Sequence, residues 1–215
     1  MGMVVGGLAG TSGMKLYDLK AGLNPRRVRI FLAEKGVPIE KVDIDLMSGE
    51  NRDESFLAKN PMGTLPVLEL DDGAYLSESI AICRYFEELH PEPPLFGSSL
   101  LERAHIEMWN RRMELEIQLP IQDVFHNLSP VWATRRQQVA EYGRMRHAQL
   151  FERMAWLNRE LAGRAYIAGE RYTVADITAQ CAFVLGAAAS VHIPGDMIHL
   201  RRWFDVVVRR PSARA

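Results

Sequence analysis

The chain has 215 residues, 47% of them apolar and 25% charged, with a formal net charge of −1. That is enough apolar material for one large domain or two small ones, and the near-zero charge argues against a global pull toward nucleic acid or an anionic membrane. Two cysteines, Cys83 and Cys181, stand in apolar helical patterns with no CxxC pair or Cys/His cluster around them. This argues against a disulfide framework and a structural metal, and it fits a reducing, cytoplasmic setting.

Residues 1–13 carry no charge and are rich in glycine; they read as a disordered leader rather than a secretory signal, with Met14 beginning the fold. Lys15–Leu19 is expected as a strand, and Arg26–Lys35 as a helix with Asn24 at its N-cap, Pro25 in its first position and Gly36 closing it. Ile39–Leu46 reads as a second strand and Glu54–Lys59 as a short helix. Next comes Asn60-Pro-Met-Gly-Thr-Leu-Pro66, a turn ending in proline at the start of a strand. Proline lacks the N–H that a strand interior needs, so Leu65-Pro66 suggests a rigid turn, compatible with a cis bond, that leaves a backbone edge free. Pro66–Leu70 and Ala74–Leu76 flank Asp71-Asp72-Gly73, a strong hairpin signal. Ser77-Glu78-Ser79 then opens the helix Ile80–Leu89, where unpaired N–H groups face outward toward an anion. A short, peptide-like, carboxylate-bearing ligand would suit that stretch.

The first segment therefore reads βαβαββα, an α/β thioredoxin-like arrangement over residues 14–90. A proline-rich linker, 91–98, leads to an all-α domain, 99–215. Its first helix carries Ile106, Trp109, Met113, Ile117, Ile121 and Val124 at helical spacing, with a kink at Pro120. Leu150, Met154, Leu157 and Leu161 mark a second. Thr173-Val-Ala-Asp176 is a capping signal before an apolar run, Ile177–Val191, too short for a membrane span and suited to a helix buried on all sides. Leu200–Val208 makes the last helix. The paired arginines, Arg26-Arg27 among them, read mostly as solvated helix faces.

The turn Asn60–Pro66, the Ser77-Glu78-Ser79-Ile80 helix start and the Thr173–Asp176 cap occur in one order at set separations. A chain with these motifs resembles the cytosolic glutathione transferase family from about residue 14 to its end. The stretches Asn24–Gly36 and Met108–Arg112 look like an atypical bacterial and yeast subgroup. The resemblance implies glutathione as co-substrate, no metal, a small-molecule electrophile and a homodimer.

It also implies roles. Leu65 would offer its backbone to the cysteinyl part of glutathione, beside Pro66, and Glu78 and Ser79 would take the ammonium and α-carboxylate. Arg52 would take the glycyl carboxylate. A free thiol has a pKa of about 8.5, so the enzyme must favour thiolate near neutrality. The loop Lys20–Pro25 holds none of the tyrosine, serine or cysteine that many members use there, and Tyr17 is expected to point away. Two candidates stay open: the Asn24 amide, whose competing reading is the helix N-cap, and His126 with Ser129 holding a water. Trp109, Met113 and Phe125 are the expected hydrophobic-substrate residues, with a plain core stripe as the competing reading. The functions kept open are thiol conjugation of electrophiles, glutathione-dependent disulfide or peroxide reduction, and a non-catalytic binding module.

Overall fold

A computed structural model describes residue 11 and residues 13–215 of the protein. The expected leader otherwise lies outside the described residues; Thr11 itself hydrogen-bonds to the Pro38 carbonyl through its Oγ1, at 2.5 Å. Two compact units form, dividing between Pro93 and Pro94.

In the first unit β1 (Lys15–Asp18) pairs in parallel with β2 (Glu40–Asp43) and antiparallel with β3 (Val67–Glu69). β4 (Tyr75–Ser77) pairs antiparallel with β3, giving the order β2-β1-β3-β4. The helices are α1 (Leu23–Lys35), α2 (Glu54–Leu57) and α3 (Ser79–Leu89), so the chain order is the expected βαβαββα. β2 is shorter than its apolar alternation suggests because its partner β1 offers only four residues to pair with.

Strand alternation sorts side chains between the two faces. Leu16 and Leu68, paired in register, are fully buried, as are Val28 and Phe31 of α1 and Ile82 and Phe86 of α3, two helices packed on each other. Val67 and Tyr17 point the other way, into a cluster with Ile44, Phe56 and Leu65.

α1 begins earlier than expected. Gly22 is its N-cap, in extended conformation, and Arg26 N–H bonds to the Gly22 carbonyl at 3.0 Å. Leu23 is buried, so the first turn is drawn down onto the core, and Asn24 and Pro25 fall inside that turn. Asn24 is therefore not the cap.

In the second unit α4 (Leu100–Met113) runs through a π-helical stretch, Glu114–Gln118, into α5 (Leu119–Leu128). Pro120 has no N–H and its ring would clash with the carbonyl four residues back, and the widened turn just ahead of it accommodates both demands. α6 (Ala140–Glu160), α7 (Val174–Ala188) and α8 (Ile198–Val207) follow. Leu95 and Phe96, expected in the linker, are instead 2% exposed, and the Leu95 carbonyl accepts from Val174 N–H at 3.1 Å.

Every residue from Val174 to Phe183 is buried, so α7 is the central helix, packed against α4, α5 and α8. Asp176 fastens its start. Its Oδ2 accepts from Thr173 N–H at 2.9 Å and Thr173 Oγ1 at 3.0 Å, and its Oδ1 from Ile167 N–H at 2.9 Å and Trp203 Nε1 at 2.8 Å. Burial pushes this carboxyl above its ordinary value, and the four donors act against that shift. No helix among the described residues is long and apolar enough to cross a membrane.

Candidate functional site

Three chain segments meet at one end of the sheet. Tyr17 pairs with Val67, and Val67 with Ser77, in antiparallel register. The exit of β1, the entry of β3 and the exit of β4 are therefore neighbours. Those ends lead to the loop before α1, to Leu65-Pro66 and to Glu78-Ser79. Leu65, Pro66, Glu78 and Ser79 are gathered there by strand register.

The turn before β3 is tied by two buried asparagines. Asn60 Nδ2 donates to the Thr64 carbonyl at 2.9 Å and to Thr64 Oγ1 at 3.0 Å, while its Oδ1 accepts from Met62 N–H at 3.2 Å. Asn51 Nδ2 donates to the Gly63 carbonyl at 2.7 Å. Gly63 has φ +61°, and a Cβ there would lie 2.9 Å from both the Asn51 carbonyl and Arg52 Nη1, so only glycine fits. The Leu65-Pro66 peptide is cis. Pairing of β3 with both neighbours begins at Val67, which leaves Leu65 outside the ladder. Arg52 is exposed, with its guanidinium over this turn, Nη1 at 3.5 Å from the Met62 carbonyl. Lys59 nearby is taken up by Tyr75, its Nζ 3.3 Å from that hydroxyl and 5.1 Å from the ring centre.

Glu78 is a non-glycine residue with φ +70° and ψ +114°, at the N-cap of α3. Such a conformation costs about 1–3 kcal/mol, and strain of this kind collects at ligand-holding positions. It leaves Glu78 exposed while Ser79, the first helical residue, is 5% exposed. An acceptor and a hydroxyl thus stand side by side at a helix N-terminus whose first N–H groups have no partner within the helix.

Ser79 Oγ accepts from Arg27 Nη1 at 2.6 Å, and the same nitrogen donates to Asn24 Oδ1 at 3.0 Å. One guanidinium therefore joins the two predicted residues Asn24 and Ser79. Arg27 is 1% exposed, so its reading as a solvated face is corrected. The signal was present: Arg27 lies four residues after Leu23 and three before Ile30, on the buried stripe of α1. Arg29, also buried, bonds to Asp18 Oδ1 at 2.6 Å and to the carbonyls of Leu19 at 3.3 Å and Lys20 at 2.8 Å, pinning the loop before α1. Tyr17 faces away, as expected. Its hydroxyl donates to Glu69 Oε2 at 2.6 Å, and burial together with that carboxylate pushes the phenol well above its usual range.

The other candidates lie in the second unit. Trp109 is 3% exposed and its ring stacks on Trp156 at 5.5 Å, with Arg112 at 4.9 Å and Arg164 at 4.5 Å from its centre. Met113 is fully buried. Both are buried, which fits the core reading of this helical stripe. Phe125 is half-buried, edge-on to Trp132 at 6.0 Å.

His126 and Ser129 close α5 and face different surroundings. The His126 ring meets Trp132 edge-on at 5.0 Å. Ser129 lines a cavity of about 310 Å³ with Leu128, Pro130, Arg144 and His147. Gln138 Nε2 ties this corner, donating to the carbonyls of His126 at 3.0 Å and Ser129 at 2.8 Å. Burial, and then the Arg136 charge, push His126 below 6.5, with Asp123 opposing. Its imidazole is therefore neutral at pH 7, able to donate through one nitrogen and accept through the other.

A depressed pKa also sets a sign for stability. The unfolded chain takes up the proton first as pH falls, so the contribution of neutral His126 is complete above about pH 6.5 and is lost as pH drops through the folded value. Urea unfolding at pH 7.5 and 5.5 is expected to show a smaller acid loss in His126→Gln than in the wild type. An equal loss in both would show that the ring is not desolvated.

Two family descriptions match the chain in order: "Glutathione S-transferase, N-terminal domain" over residues 16–94 and "Glutathione S-transferase, C-terminal domain" over residues 105–211. Glutathione S-transferase 2 of Saccharomyces cerevisiae is 37% identical over 205 residues, 94% of this chain and 88% of that protein. The crystal structure of a glutathione S-transferase domain-containing protein from Marinobacter aquaeolei superposes with a TM-score of 0.86 at 42% identity, covering 92% of this chain and 98% of that one. Elongation factor 1-gamma 2 of Oryza sativa is 34% identical over 183 residues, 82% of this chain, which spans 42% of that longer protein. On these matches the chain belongs to the glutathione S-transferase family.

Proposed function

We propose that this transferase binds reduced glutathione at the joined ends of β1, β3 and β4 and presents its thiolate to an apolar small-molecule electrophile. The observation that carries this reading is the pair Glu78–Ser79, a strained acceptor beside a helix-terminal hydroxyl, set in register next to Leu65-Pro66. In it, Ser79 Oγ and N–H hold the α-carboxylate and Glu78 the ammonium. Leu65 bonds the cysteinyl backbone as an added antiparallel strand would. Arg52 takes the glycyl carboxylate.

The Asn24 amide donates to sulfur, and the dipole of α1 favours the anion there. The thiol proton leaves to water. Sulfur then attacks the electrophilic carbon, forming a C–S bond as the leaving group departs with its electron pair. Phe125, half-buried where Trp109 and Met113 are buried, is the candidate for apolar substrate contact. A homodimer in the cytoplasm is part of the same proposal.

Calorimetry of glutathione with wild type and Ser79→Ala tests the site. A hydrogen bond to a charged group contributes about 1.5–3 kcal/mol, so binding should weaken about ten- to hundredfold. Unchanged affinity would remove Ser79 from the site. Turnover of a chloronitroaromatic against a glutathione-capped disulfide separates conjugation from reduction.

A second reading, a transferase-like module that binds a protein partner without turnover, is favoured by the likeness to elongation factor 1-gamma and by the unusual loop before α1. Absence of glutathione binding at millimolar concentration would select it.

A further inference from the structure

Arg27 is a buried cation placed between the two residues to which thiolate and carboxylate are assigned. Its Nη1 reaches Ser79 Oγ at 2.6 Å and Asn24 Oδ1 at 3.0 Å. A guanidinium has donors only and keeps its proton at every working pH. Whatever faces it must accept. Ser79 therefore spends a lone pair inward, and its single proton is left to donate along another direction. Asn24 must turn its oxygen, not its nitrogen, toward Arg27, which carries the NH₂ to the opposite side of the amide.

We propose that Arg27 is the positioning residue that sets hydrogen-bond polarity at the ligand site, making Ser79 a donor to the α-carboxylate and Asn24 a donor to the thiolate. The inference rests on the reading of Ser79 and Asn24 given above. It explains why a charge is buried in a helix face where a leucine would pack at lower cost. A serine hydroxyl or an asparagine amide alone can present either polarity. Between a fixed donor and an anion, only one orientation satisfies both neighbours.

The discriminating variant is Asn24→Asp. It keeps an inward acceptor for Arg27, so the fold is retained, but it replaces the outward NH₂ by an oxygen that repels sulfur. The pKa of bound glutathione thiol, read from its ultraviolet thiolate absorption against pH, is expected to rise by one unit or more, about a tenfold loss of thiolate. Arg27→Gln supplies the second arm. Its amide oxygen can accept the Ser79 proton and reverse that group. Affinity for S-methylglutathione, which has no thiol to ionise, should fall about tenfold in Arg27→Gln. The fall should largely vanish when Ser79→Ala is already present. Urea unfolding of each variant reports whether the fold is intact.

An unchanged thiol pKa in Asn24→Asp, or fully additive effects of Arg27→Gln and Ser79→Ala, would overturn the inference and leave the glutathione site standing. If Ser79→Ala and Asn24→Ala each bind and ionise glutathione as wild type does, the site reading fails and this inference falls with it. A fold lost only in Arg27→Gln leaves Asn24→Asp to decide.

Discussion

Asp176→Ala is expected to lower the free energy of unfolding by about 3–5 kcal/mol, because several buried donors lose their acceptor at once. Asp176 is fully buried and accepts from two backbone N–H groups, a threonine hydroxyl and an indole N–H. Alanine would strand those donors in the interior, each at a cost of about 1–3 kcal/mol before relaxation. The bonds also come from separate parts of the unit: the Ile167 turn, the cap of α7 and the α8 side chain Trp203. One carboxylate thus holds the central helix to a loop and to the last helix, so its loss should broaden or split the transition as well as lower it. Denaturant unfolding followed by tryptophan fluorescence reads both effects, since Trp203 is itself a partner. Asp176→Asn keeps the shape but turns one acceptor into a donor facing other donors, and it should fall between wild type and alanine. A midpoint within experimental scatter of wild type for Asp176→Ala would show that the cap is not a stability element.

Arg29→Met is expected to cost a comparable amount, about 3–5 kcal/mol, through the partner it abandons. Asp18 and Arg29 side chains are 4% and 8% exposed and 2.6 Å apart. With methionine in place of arginine, the buried Asp18 carboxyl would be left without its ion-pair partner. The sharper test is the double variant Asp18→Leu/Arg29→Met. A buried pair replaced whole by apolar residues is often neutral or stabilising, so the double should unfold at higher urea than Arg29→Met alone. Function should not recover with it. Arg29 also holds the Leu19 and Lys20 carbonyls, and that loop delivers Asn24 to the site. The double variant should regain stability while its KM for glutathione stays raised. Recovery of both would make Arg29 a stability residue only.

These two sites differ in how far the sequence announced them. The Thr173–Asp176 cap was legible because a capping box is a local device: a side chain three residues on bonds the start of its own helix. The Asp-Asp-Gly hairpin, the glycine closing α1 and the turn at Asn60 were legible for the same reason. So was the order of elements, since the apolar period changes from two to about 3.6 between strand and helix. Tyr17 could be turned away from the site by counting along a strand. Register alone then brought Leu65, Pro66, Glu78 and Ser79 to one end of the sheet.

What failed to show depended on contacts made far along the chain. Asn24 had the chemistry of a helix cap, but burial of Leu23 started the helix earlier and left its oxygen to Arg27. Arg27 lay at the spacing of the buried stripe of its helix, but nothing local reveals its acceptor 52 residues away at Ser79. Trp109 and Met113 had the spacing of either pocket or core, and only the packing shows both buried, Trp109 against Trp156. By itself the sequence determined the α/β and all-α halves, set by periodicity, turns and caps within a few residues, and its motifs carried the resemblance to the family. Only the tertiary structure decided which polar side chains are buried and which way their hydrogen bonds run. The physical reason is that a buried donor must find its acceptor wherever the fold places one, and sequence neighbours do not record that choice.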